Sequence, residues 1–116
     1  MEDLFLIFAG AGGILIAFVH GWLGQTLVLR SVDGLSPPLR SVNAAVFQLS
    51  TIYWLATGLA LLSAPWLWGD EGRHIIVIGA VFVYSTAAVG NAWATKGRHF
   101  GWMALTVVCL LALAGL

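Results

Sequence analysis

His20 and Gln25 stand within FVHGWLGQ, residues 18–25, inside a stretch from residue 4 to residue 29 that carries no charge. An imidazole in such a stretch is costly unless a partner satisfies it, and intramembrane ionisable groups are candidate functional sites for that reason. Three chemistries are open to His20. A neutral ring can donate to the amide oxygen of Gln48 or accept from its NH₂, tying two helices together. The ring can supply one axial ligand to a five-coordinate haem, with Gly13 and Gly24 leaving space. It can also hydrogen-bond a quinone in an apolar slot shared with Gln48, Tyr53 and Trp54. His20 and Gln48 are therefore the candidate cofactor-binding residues, although nothing in the composition requires a cofactor.

Other chemistries lack parts. Metal binding needs several ligands, and His74 and His99 fall at opposite ends of the expected bundle, so no metal site is expected. The single Cys109 has no internal partner for a disulfide. Ser50 and Thr51 have no Asp or Glu within the apolar segments to complete a triad with His20. The same absence argues against a proton-coupled pump, so the expectation leans away from an enzyme and assigns no catalytic residue.

The elements that must position these residues are membrane spans. The 116 residues are 60% hydrophobic and 9% charged, with a mean hydropathy of +0.96. Soluble domains carry about 25% charged residues, and a chain this short cannot hide so much apolar surface in one core. The formal net charge of zero excludes the basic face that nucleic acid requires. A spanning helix needs about 20 apolar residues. Residues 4–29, 42–63 and 75–95 meet or approach that length, and 100–116 sits at its lower limit. The expectation is an all-α polytopic membrane protein, one four-span domain in an up-down bundle.

Charges gather in the gaps: Arg30, Asp33 and Arg40, then Asp70, Glu71 and Arg73, then Lys96 and Arg98. Pro37 and Pro38 are expected to break any helix in the first loop, and Pro65 to close the second span. Lys and Arg favour the cytoplasmic side. The first and third loops hold Arg30, Arg40, Lys96 and Arg98, whereas the other side holds only Arg73. Both termini are therefore expected outside. The acidic Met-Glu-Asp start lacks the basic region of a signal peptide and reads as a mature N-terminus. His99, beside Arg98, is expected at the headgroups with this basic cluster.

Within the spans, Gly13, Ala17 and Gly21 recur every four residues, with Gly24 nearby. Small residues at this spacing let a second backbone approach, so these four are the expected helix-packing face. His20 lies about 5 Å to the cytoplasmic side of the first span's midpoint, and Gln48 about 7 Å from that of the second. Gln48, Thr51 and Asn91 form the expected polar cluster in the inner half. Interhelical hydrogen bonding is the plain reading of that cluster.

AFVHGWLGQTLVLRSV, LRSVNAAVFQLSTIYW and GRHFGWMAL together resemble a loosely defined group of short, uncharacterised bacterial four-helix inner-membrane proteins. That pattern ends its first helix with Ala-His and Leu-Gly-Glu, opens its second with Trp-His and Thr, and opens its fourth with Arg-His-Pro-x-Trp. His20, Leu23 and Gly24 match the first element, with Gln25 for Glu. Thr51 matches the second, with Phe47 and Gln48 for Trp-His. Arg98, His99 and Trp102 match the third, with Phe100 for Pro. The resemblance implies the four-span fold and a bacterial cytoplasmic membrane, and it carries no activity. Replacement of a histidine by Gln48 favours hydrogen bonding there over paired-histidine haem ligation.

Three function classes follow. The leading expectation is a non-enzymatic accessory or assembly subunit in a larger membrane complex, with other membrane subunits, a second copy of itself and the bilayer as partners. Its first loop, with Arg30, Arg40 and the Pro37-Pro38 step, is the expected docking surface. The second is a haem- or quinone-binding redox module using His20. The third is a small oligomeric transporter or channel, although the intramembrane glutamate of small multidrug exporters and the phenylalanine pattern of dual-topology fluoride channels are both missing.

Overall fold

The computed structural model describes residues 1–31 and 34–116. Asp33, counted among the first-loop charges, lies outside the described residues. Four helices and no strands make up the described chain: α1 Glu2–Ser31, α2 Pro37–Leu67, α3 Asp70–Ala94 and α4 Gly101–Ala114. Three of them, α1 to α3, are long and apolar enough to cross a membrane. The fourth helix has 14 residues, about 21 Å at 1.5 Å per residue, and is shorter than the expected 100–116. It starts one residue later and ends two earlier than expected, and at its start the His99 Nδ1 accepts the Gly101 N–H at 3.1 Å. A side chain thereby takes one of the donors that a helix start leaves unpaired.

Each helix packs mainly on two neighbours, in the cyclic order α1, α2, α3, α4. Successive helices run antiparallel. The closest crossing joins α1 and α2 at Gly10 and Gly58, where a Cβ on Gly10 would lie 2.5 Å from Leu62 N and 2.8 Å from Gly58 O. Only glycine allows backbones to approach so closely. Further along, Gly21 faces Thr51, and Gly24 faces the Phe47 ring.

Two proline expectations are corrected. Pro37 and Pro38 do not break a helix; they are the first residues of α2. A missing N–H costs nothing in the first turn, and Ser36 before them takes the extended conformation that proline favours. Pro65 does not close α2 at 63 either, because the helix runs on to Leu67. In the last turn only the Leu61 carbonyl loses its donor, and Trp68 then turns extended and ends the helix.

The interior is small and dry. Leu6, Leu61, Val77, Tyr84 and Leu105 are the largest fully buried side chains, and no polar or charged residue is buried outright among the described residues. Phe8, Leu15, Phe18, Trp22, Ile52, Ile75, Phe82 and Leu110 are exposed, the inside-out surface expected of a bundle solvated by lipid. One end is clasped. Arg73 at the start of α3 donates from Nε and Nη2 to Gly115 O, at 3.0 and 2.7 Å, and from Nη1 to Asp3 at 2.7 Å. This draws together the starts of α1 and α3 and the end of α4. At the opposite end Arg40 Nη2 donates to Leu29 O at 3.0 Å. Next to that contact α1 winds as a π-helix from Gly24 to Val28.

Candidate functional site

His20 projects from α1 toward the face of α2 that carries Phe47, Ser50 and Trp54. Its ring lies 5.1 Å from the Phe47 centroid and 4.3 Å from that of Trp54. Its Nε2 sits 2.9 Å from Ser50 Oγ, and Ser50 Oγ donates to Phe47 O at 2.8 Å. A hydroxyl has one proton. Assigning that proton to Phe47 O makes Ser50 the acceptor of His20 Nε2–H and leaves the lone pair of the neutral ring on Nδ1. That nitrogen has no hydrogen-bond partner among the described residues. The partner expected for His20, Gln48, is not bonded to it, and the Gln48 side chain makes no hydrogen bond among the described residues. The α1–α2 register explains why. Gly24 faces Phe47 and Gly21 faces Thr51, so Gln48 lies nearer the helix end than His20 does.

His20 stands at the junction of two hollows. The first, about 560 Å³, lies among α1, the end of α3 and the start of α4. Its walls are mostly apolar, from Leu15, Val19, Leu23, Phe47, Phe100 and Leu105, and its polar lining is His20, Asn91, Thr95 and His99. The second is a groove of about 730 Å³ between α2 and α3, lined by Ser50, Tyr53, Thr57, Phe82 and Thr86 among others. His20, Trp54 and Asn91 border both. No Asp, Glu, Lys or Arg lines either.

Asn91 carries the one buried side-chain polar atom without a partner among the described residues, its Oδ1. Such an atom forfeits about 1–3 kcal/mol unless something donates to it. Its backbone oxygen is engaged by Thr95 Oγ1 at 2.7 Å. His99 is partly buried, stacked on Phe100 at 4.8 Å. Because Nδ1 accepts from Gly101 N, a neutral His99 holds its proton on Nε2.

The remaining sequence candidates are placed as follows. Thr51 donates to Phe47 O at 2.8 Å and packs on Gly21. Gln48, Thr51 and Asn91 make no hydrogen bonds to one another among the described residues. Ala17 is fully buried, and a Cβ on Gly13 would collide with the Tyr84 hydroxyl, as one on Gly24 would with Phe47. Arg30, Lys96 and Arg98 are exposed. His99, expected at the headgroups with them, instead borders the same hollow as His20. Sequence reasoning missed that convergence, the Ser50 partner and the Arg73 clasp. Ser50 is readable only once the helix register is known. His99 looked peripheral because Lys96 and Gly97, both at positive φ, turn the chain back toward the bundle.

The arrangement can hydrogen-bond a neutral ligand and stack on a planar one. It offers no carboxylate for acid–base chemistry. Haem fits poorly on His20, whose Nε2 is engaged by Ser50 and whose Nδ1 alone is left to ligate iron. Among the described residues no three His, Cys, Asp or Glu gather as a metal site. No family model, curated protein or solved structure matches the chain.

Proposed function

We propose that this chain is a four-span protein of a bacterial cytoplasmic membrane that binds a neutral, lipid-soluble small molecule in the hollow beside His20, as a non-enzymatic binding module. The observation that carries this reading is a hollow lined by His20, Asn91 and His99, in which Asn91 keeps a buried side-chain oxygen, Oδ1, without a partner among the described residues. A volume of about 560 Å³ is in the range of small-molecule sites, which are mostly apolar with a few placed polar groups. The basic residues around 30–40 and 96–98 favour a cytoplasmic position for the cavity end in this reading. In this reading the short α4 completes the fourth crossing, helped by local thinning of the bilayer.

The test is extraction into lipid nanodiscs, followed by mass spectrometry of bound small molecules. A stoichiometric neutral species on the wild type, lost in the double variant His20→Ala, Asn91→Ala, is expected. A wild type carrying nothing beyond bulk lipid, and taking up no neutral amphiphile when titrated, would remove the proposal.

A second reading is favoured by the α2–α3 groove, where Tyr53 and Thr86 are exposed and a Cβ on Gly90 would meet nothing within 4 Å. Here the chain is an accessory subunit that receives another transmembrane helix. The mass of the particle released by mild detergent tests it, and a monomer would count against it.

A further inference from the structure

We infer that the ligand of the His20 cavity is a neutral aromatic amphiphile whose ring carries a hydroxyl donor, a hydroquinone head being the simplest case, with His20 Nδ1 as the acceptor. This rests on the ligand-binding reading above and narrows it. Five observations converge. With the Ser50 proton assigned to Phe47 O, Nε2–H of His20 goes to Ser50 and Nδ1 is left as a lone pair without a partner among the described residues. The second polar atom that lacks a partner, Asn91 Oδ1, is also an acceptor. A ligand that satisfies these two acceptors must bring hydrogen to them, while His99 Nε2–H and the Asn91 NH₂ on the same lining ask for an acceptor; a ring hydroxyl supplies both, and an ether only the second.

Charge and shape supply the rest. No ionic side chain lines the cavity, so a charged head would enter without a counter-ion, at a desolvation cost that a neutral head avoids. The imidazole of His20 is flanked by Phe47 and Trp54, and that of His99 lies on Phe100. These flat surfaces suit a ring in offset or tilted contact. Leu15 and Phe100 line the cavity and are also exposed on the outer surface, so the hollow reaches the lipid side and an alkyl tail can trail into the bilayer.

The experiment compares a decyl-substituted hydroquinone with its dimethyl ether, which keeps the ring and tail but has no donor. Binding to the protein in nanodiscs is read by anaerobic equilibrium dialysis against empty discs. The hydroquinone is expected to bind about tenfold more tightly, the effect of one buried acceptor satisfied or left bare. His20→Phe keeps a ring at that position, and there the preference should shrink while ether binding persists. Ser50→Ala frees the tautomer and should shrink the preference. Equal binding of the two probes to the wild type overturns the inference, and needs no variant to fold. A preference undiminished in a folded His20→Phe protein overturns it as well. If neither probe binds the wild type while another neutral amphiphile does, this inference fails and the ligand-binding reading stands. If no neutral amphiphile binds, both fall.

Discussion

Tyr84 is the residue on which the interior turns. It is fully buried, its hydroxyl donates to Trp54 O at 2.8 Å, and it occupies the space that a Cβ on Gly13 would need. One side chain of α3 thus reaches α2 and fills against α1. Tyr84→Phe removes the hydrogen bond and keeps the ring. It should cost about 0.5–1.5 kcal/mol, measured by reversible unfolding in mixed micelles. Gly13→Ala forces the Tyr84 hydroxyl aside and should cost about 1–3 kcal/mol. Combined with Tyr84→Phe, part of that loss should return, because the colliding oxygen has gone; strict additivity would refute the contact. Gly79→Ala is the control. A Cβ there meets nothing, so stability should hold or rise slightly.

At the scale of the element, the π-helical turn of α1 and the Arg73 clasp stand at opposite ends. A π turn holds one residue more than the α-helix would, and such turns collect at functional sites. This one borders the cavity through Gly24 and Val28. Deleting the exposed Gln25 should let the turn relax to α winding while the flanks keep their faces. Deleting Phe18, in regular helix, should rotate His20 and Gly21 off the α2 contact and destabilise far more. Comparable melting of the two deletion proteins would sink this account. Arg73 has a side chain 16% exposed and serves a carbonyl and a carboxylate at once. Its fork suits both. Arg73→Ala should cost about 1–3 kcal/mol and speed hydrogen exchange at the last turn of α4, with Arg73→Lys recovering only part.

For the whole molecule, the bundle is asymmetric along its axis. The end tied by Arg73 is close-packed around Leu6, Leu61, Val77 and Ala112. The other end opens into the two hollows around His20. Antiparallel packing puts Gly69 and Gly97 at opposite ends. Single cysteines there should react with impermeant reagent from opposite sides of sealed vesicles, Gly97 from the cytoplasmic side. Native Cys109 is buried and should contribute little background. Labelling of both positions from one side would end the four-span topology; exchange of the two sides would end only the proposed orientation.

Although α2 and α3 each start five residues before the expected spans, hydropathy summed along the chain determined the all-helical class and three lengths sufficient to cross a membrane. These are local or cumulative quantities that survive without a partner helix. That Gly13, Ala17 and Gly21 share a direction follows from a repeat of four in a helix, but their partners do not: Gly13 meets Tyr84 of α3, Gly21 meets Thr51 of α2, and the closest approach falls at Gly10. Which side chains meet was not legible. The choice of Ser50 over Gln48 for His20 depends on the α1–α2 register, and that register is set by the close approach of Gly10 and Gly58. The place of His99 depends on two positive-φ residues that turn the loop inward. Pro37 and Pro38 have the same chemistry in a loop or a first helical turn, and only the start of α2 decided between them. The cavity belongs to no segment: all four helices bring part of its wall, and it exists only where their packing gathers His20, Phe47, Asn91 and His99 around one gap.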